Sequence, residues 1–253
     1  GNHGTVNGAN FSHDRKEAFG INGQALAFDT VQNNYAEIPH SSKYNFGTND
    51  FTVNFWVKGN SQSPHAALFI KAVNPNHPYE GITLFLSSDG HGKITSRTNR
   101  DAELISARSD LDNHLWHSIS FMRKGTDLLL YIDGSLDTSR VDPQTDVSNT
   151  APIVLGANHV DRSKQNFKGS LDEVRIYNRA LSASEVLALY NLEKPKVSLT
   201  NANFQTAVNL WFTDEVNATA TYGHIRDWNV SGVTNMFDAF KDRATFNEDF
   251  SGW

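Results

Sequence analysis

The chain has no cysteine in its 253 residues. That absence removes disulfide staples, a thiol nucleophile and any cysteine-based zinc centre. A cytosolic protein usually carries a few cysteines, so it also leans toward export. No apolar run approaches the roughly 20 residues a membrane helix needs, so no insertion into a membrane is expected. Positive charge is scarce as well: 22 Lys and Arg stand against 28 Asp and Glu, a formal net charge of -6. Without a basic stripe, nucleic acid and anionic membrane surfaces are poor candidate partners. The chain opens at Gly1 with neither an initiator Met nor a signal peptide, and reads as a processed or excised product. What is present is apolar and aromatic. Hydrophobic residues make up 38% and the chain has 16 Phe, enough for a packed core.

Short alternating runs fill the sequence to about residue 178, the signature of β-strands. Strands are expected at Ala25–Phe28, Tyr35–Ile38, Phe51–Val57, Ile82–Leu86, Ile153–Gly156 and Leu171–Tyr177. In the third of these, Phe51, Val53, Phe55 and Val57 fall on one face. Trp116–Met122 and Leu128–Ile132 form a hairpin pair, and Asp133-Gly134 marks the next tight turn. Helices of crossover length are absent between the strands, so the class is all-β, an antiparallel two-sheet sandwich. One helix is expected after Ser182, which has capping-box spacing to Glu185. The chain breaks at Glu193–Lys196, giving domains at 1–192 and 200–253 with a linker at 193–199. The second holds an amphipathic helix at Phe204–Phe212 and tryptophans at 228 and 253, read as one period of a repeat of mixed α/β character.

Several stretches in order carry a family resemblance: Gly23–Asp29, Tyr35–Pro39, Phe51–Val57, Leu115–His117, Leu130–Gly134 and, most specifically, Gly169–Ser182. Together they resemble the bacterial LamG-like jelly roll of the concanavalin A-like lectin/glucanase superfamily. The resemblance implies two antiparallel sheets face to face, one of them concave. Residues 200–253 resemble short repeats of bacterial surface proteins. Both likenesses imply a secreted or cell-surface protein whose partner is a polysaccharide, a glycoconjugate or a surface protein.

Relatives with this fold often hold a structural calcium where the first and last strands meet. The resemblance therefore implies a Ca2+ site at Asp29 and Asp172, with Asn33 and Asn34 as further oxygen donors, because calcium takes six to eight oxygens. The alternative is that Asp29 caps a turn and Asp172 hydrogen-bonds a loop. A retaining glycosidase needs two carboxylates about 5–5.5 Å apart, and no strand shows acids at i, i+2 and i+4. Asp101 and Glu103 are the nearest pair, so no catalytic residues are assigned. Sugar sites combine aromatic and planar polar groups. On that composition the candidate ligand residues are His77 and Tyr79, Arg97 and Arg100, and His159 and Asp161, each in a polar loop. Trp56 and Trp116 are expected to pack rather than bind.

Overall fold

Alternation at Phe51–Val57 predicts one apolar face and one polar face, and the strand there divides them as expected. Phe51, Val53, Phe55 and Val57 enter the core, while Thr52, Asn54 and Trp56 face the other way. The computed structural model describes residues 5–7, 10–12, 25–29, 34–59, 65–73, 80–87, 92–99, 102–194, 196–244, 246–251 and 253. In chain order the strands are β1 (Thr5–Asn7), β2 (Asn10–Ser12), β3 (Ala25–Phe28), β4 (Tyr35–Ile38), β5 (Phe51–Gly59), β6 (Ala66–Val73) and β7 (Glu80–Ser87). They continue as β8 (Lys93–Thr98), β9 (Ala102–Ile105), β10 (Trp116–Lys124), β11 (Asp127–Ile132), β12 (Ser135–Val141), β13 (Ile153–Leu155) and β14 (Gly169–Tyr177). Two seven-stranded antiparallel sheets result. One runs β1-β4-β13-β6-β7-β8-β9 and the other β12-β11-β10-β5-β14-β3-β2. Their inner faces share a core that includes Phe28, Phe51, Phe55, Phe69, Leu84, Phe121, Ile153 and Leu171. This is the two-sheet sandwich that the pattern of short strands predicts, and the jelly roll that the family resemblance implies.

Local chemistry explains the turns. β10 and β11 are joined at Gly125-Thr126, and β11 and β12 at Asp133-Gly134. Both residues of the second turn have positive φ (51° and 81°), the left-handed pair that a tight hairpin with right-handed twist demands. Gly134 has a second reason to lack a side chain: a Cβ there would crowd the Tyr190 ring. The expected capping box is present. Glu185 N–H donates to Ser182 Oγ (3.2 Å) and Ser182 N–H to Glu185 Oε2 (2.8 Å), opening helix α1 (Ala183–Glu193). Tyr190 of α1 stacks on Trp56 at 5.7 Å, and Val186 packs with Met122, Tyr131 and Leu181. Trp56 is fully buried and Trp116 8% exposed, so both pack, as expected.

One buried ion pair ties the loops to the sandwich. Arg123, on β10, is fully buried and pairs with Asp142. Its other nitrogens donate to the carbonyls of Gly47 (3.0 Å), Asn49 (3.5 Å) and Thr145 (2.9 Å). Thr98 Oγ1 of β8 donates to Asp142 as well (3.3 Å), so this network spans strands of both sheets. Lys71 of β6 is a second buried cation. Burial pushes its ammonium down to about 8, and three carbonyl oxygens of Asn149 and Ala151 receive its protons at 3.0–3.2 Å.

The chain divides into two compact units, the first holding residues 23–190 and the second residues 191–253. In the second unit, α2 (Phe204–Thr213) buries Phe204, Ala207, Val208 and Trp211, the i, i+3, i+4, i+7 stripe of an amphipathic helix. It is followed by α3 (Glu215–Tyr222). Trp228, 1% exposed, is met edge-on by Phe204, Trp211 and Tyr222 and lies parallel to Trp253 at 6.1 Å. Both indole N–H groups donate to main-chain carbonyls, Trp228 to Gly223 (2.8 Å) and Trp253 to Ile225 (2.9 Å).

Candidate functional site

Antiparallel register decides which of the expected residues meet. Gly169 lies opposite Phe28 and Leu171 opposite Leu26 in the β3–β14 ladder. Asp29 therefore extends past one end of that ladder and Asp172 past the other, about four residues or ~13 Å apart along the strands. Two carboxylates so placed cannot share one ion with bonds of 2.3–2.6 Å. The expected partnership of Asp29 with Asp172 is corrected on that ground. Asp172 instead accepts the Glu173 N–H (2.7 Å), beside a bulge where Glu173 has φ 50°. Asp29 and Asn34 do meet: Asn34 Nδ2 donates to Asp29 Oδ1 at 2.8 Å. With its nitrogen so engaged, Asn34 turns its Oδ1 into the protein, buried and without a hydrogen-bond donor among the described residues. An acceptor left bare at a buried site is the feature a cation would satisfy. Asn33 lies outside the described residues. Among the described residues no three His, Asp or Glu converge on a point.

The expected ligand residues scatter. His77, Tyr79 and Arg100 lie outside the described residues. Arg97, expected in a loop, is on β8, where cross-strand pairing sets it opposite Glu103. Its Nε donates to Glu103 Oε1 at 3.1 Å, so each group neutralises the other. Asp101, the other half of the acidic pair, is outside the described residues. His159 is half buried; burial, then the nearby charge of Arg162, pushes its imidazole down to about 4. The Asp161 carboxyl is held at about 2 by bonds from Ser163 and Lys164 and caps its own turn. Arg162 clasps Glu37 at 2.6 Å and lies over the Tyr35 ring. Arg162, the neighbour of Asp161, thus fastens this loop to β4.

A cleft that sequence reasoning did not find is built elsewhere. The loop from Pro39 to Asp50 leaves β4 in one sheet and enters β5 in the other, and Asn178-Arg179 continue β14, the neighbour of β5. Between them opens a polar cleft of about 710 Å3, within the size range of small-ligand sites. Its backbone is fastened throughout. Gly47 N–H donates to Ser148 Oγ (3.0 Å), and Gly47 O accepts from Val147 N–H and from Arg123. Gly47 has φ 57°, a conformation that glycine adopts without strain. Phe46 stacks on Phe51 at 5.4 Å beneath the loop. Asp50 Oδ1 accepts the Gly125 N–H (2.7 Å). On the far wall, Thr52 Oγ1 donates to Arg179 O (2.8 Å) and accepts from Leu181 N–H (3.1 Å). Arg179 grips Glu185 through both terminal nitrogens (2.8 and 3.0 Å). Its hydrogen bonds, with those of Ser182, hold the Glu185 carboxyl at about 2.

The side-chain heads in this cleft are another matter. The amides of Asn49 and Asn178, the hydroxyl of Thr48 and the ammonium of Lys43 have no protein partner among the described residues. Asn45 commits only its oxygen, accepting from Asn149 N–H at 3.3 Å. A rigid frame with uncommitted planar amides and hydroxyls suits a polyhydroxylated ligand, whose hydroxyls both donate and accept.

Comparison with known proteins agrees with this architecture. The family model Laminin_G_3, described as the concanavalin A-like lectin/glucanases superfamily, matches residues 29–187. Among solved structures the chain is similar to the binding domain of Paraclostridial Mosquitocidal Protein 1, with a TM-score of 0.63 and 22% identity over 79% of this chain and 49% of that one. It is similar to the botulinum neurotoxin serotype G binding domain, with TM-score 0.57 and 16% identity over 76% and 46% of the two chains. A third is from botulinum neurotoxin type C, whose cell entry is dependent upon interaction with two ganglioside molecules; there the TM-score is 0.58, with 14% identity over 79% and 48%. The chain spans about half the length of these structures, and the likeness is one of fold. No curated protein matches it.

Proposed function

Because the chain belongs to the concanavalin A-like lectin/glucanases superfamily, we propose that it is a non-catalytic carbohydrate-binding module of a secreted or surface-anchored protein. The observation that carries this reading is the cleft between residues 42–50 and 178–179, where a fastened backbone presents uncommitted amides and hydroxyls. Structural neighbours lend support, since one of them is a toxin that interacts with gangliosides. Binding without chemistry is favoured because Glu103 is committed to Arg97 and the cleft holds a single carboxylate, Asp50, whereas glycoside hydrolysis ordinarily uses a pair. A glycan array with the whole chain tests the reading. Retention of at least one glycan, weakened in the Asn49→Ala and Asn178→Ala variants and with no release of shortened product, is expected. Failure to bind any glycan would sink it.

A calcium ion at the Asp29–Asn34 corner belongs to the same proposal. The Asp29 carboxylate and the bare Asn34 Oδ1 are the donors this chain would offer, and the ion would complete the buried acceptor. One observation favours a second reading, in which the chain acts as a protein adhesion or spacer module. Phe237 is 83% exposed in the C-terminal unit, within a stretch resembling surface-protein repeats. Pull-down of a protein partner that Phe237→Ser abolishes, without glycan binding, would favour that alternative.

A further inference from the structure

With Arg179 offset by Glu185, the cleft is close to neutral on a chain that is negative overall. The protein carries a net -6, yet the cleft is lined by two cations, Lys43 and Arg179, and one carboxylate, Asp50. These groups are not equivalent. Arg179 is neutralised by Glu185 in a two-nitrogen pair. One oxygen of Asp50 is held by the Gly125 N–H. Lys43 alone has no carboxylate partner among the described residues. It rides on a short 3-10 turn, Ser42–Tyr44, whose entry is capped when Ser41 Oγ accepts the Lys43 N–H (3.4 Å). An ammonium on a fixed turn, beside amides that suit hydroxyls, is a receptor for a sugar that itself bears a negative charge.

We propose that this cleft selects acidic saccharides, with the ligand carboxylate at Lys43 and the ring hydroxyls at the amides of Asn45, Asn49 and Asn178. The proposal rests on the carbohydrate reading above and names its ligand class. Asp50 then serves as an acceptor for a hydroxyl, through the oxygen not held by Gly125, and it repels a second carboxylate placed at that end of the ligand. The Arg179–Glu185 pair closes the far wall without offering net charge. Pyranose carboxylates occur in uronate polymers and in sialylated glycans, and the chemistry at Lys43 is common to both.

Titration calorimetry on the intact chain separates the possibilities, using oligogalacturonate and 3′-sialyllactose against neutral galactan oligosaccharide and lactose. At least one acidic probe is expected to bind tenfold or more tightly than its neutral counterpart, and the probe that binds identifies the source. The preference is expected to shrink as salt is raised, because an exposed charge pair is screened. Lys43→Gln is expected to weaken the acidic probe about tenfold or more, the scale of losing a charged hydrogen bond, and to leave neutral probes unchanged. Lys93→Gln, which removes one positive charge from β8, is expected to change nothing. Far-ultraviolet circular dichroism and the melting temperature of each variant confirm that it is folded. Equal affinity for acidic and neutral probes overturns the proposal, as does acidic binding unaffected by Lys43→Gln; both leave the carbohydrate reading standing. If neither these probes nor the glycan array shows binding, both readings fall together.

Discussion

Asp133 shows how one side chain joins turn chemistry to stability. Its positive φ starts the tight turn, and its carboxylate gathers donors around itself. Oδ2 lies 2.9 Å from His117 Nδ1 and 2.6 Å from Arg108 Nη1, and Oδ1 accepts Ser118 N–H at 2.9 Å. Burial opposes the charge, but the bonds from His117, Ser118 and Arg108 outweigh it and hold the carboxyl below its usual range. The folded state thus binds this proton more weakly than the unfolded chain, whose aspartates titrate near 3.9. Stability from this group is present above that value and is lost as pH falls through the lower, folded one. Melting curves should show the wild type losing stability below about pH 4, and Asp133→Asn should give a flatter acid limb from a lower plateau. Matching acid limbs in the two proteins would contradict this account. The shifted carboxyls of Asp161 and Glu185 are exposed and contribute little to stability.

Elements are held by pairing, and the sandwich is fastened to its loops by the Arg123 network. Removing one partner of a buried ion pair leaves an uncompensated charge, at about 3–5 kcal/mol. Asp142→Ala is therefore expected to lower the melting temperature by roughly 10 °C, and to loosen the loop at Gly47 and Asn49 that Arg123 holds. Calorimetry checks the first effect, and hydrogen exchange at residues 47–49 checks the second. Strand visibility in the sequence followed burial. β3 and β4 coincide with the runs expected at Ala25–Phe28 and Tyr35–Ile38, and β5 begins where alternation does. β6 leaves no periodic mark in the sequence because both its faces are buried: Leu68 and Phe69 enter the main core, while Ala67, Ile70 and Ala72 join Phe85 in a separate apolar cluster. A strand buried on both faces has no alternation to read. β8 was missed for the opposite reason. Its polar residues Thr95, Ser96 and Thr98 are buried, so Arg97-Thr98 looked like loop. β12 is an edge strand and mostly exposed, and edges carry polar residues without period.

At the scale of the whole molecule, the proposed calcium contributes through the difference in its affinity for folded and unfolded chain. The wild type is expected to melt several degrees higher in millimolar calcium than in chelator. Asn34→Ala should abolish that difference while Asp172→Ala should retain it, because β3–β14 register holds Asp172 away from Asp29. A difference lost in Asp172→Ala and kept in Asn34→Ala would place the ion at the other end of the ladder. Differential scanning fluorimetry of the three proteins with and without calcium reads all six conditions.

Local physics made strands such as β3, β4 and β5, the Asp133-Gly134 turn, the Ser182–Glu185 capping box and the stripe on α2 legible from the amino-acid sequence alone. Each depends on residues within a few positions of one another, through side-chain periodicity, φ preference or a short hydrogen bond. Tertiary structure alone decided that Asp172 stands away from Asp29 and Asn34, that Arg97 is committed to Glu103, and that Lys43 shares a cleft with Asn178. Those outcomes depend on which strands pair and in what register. Main-chain hydrogen bonds are alike in every strand pair, and register follows the hydrophobic pattern of whole strands, so which individual polar residues become neighbours leaves no local mark in the sequence.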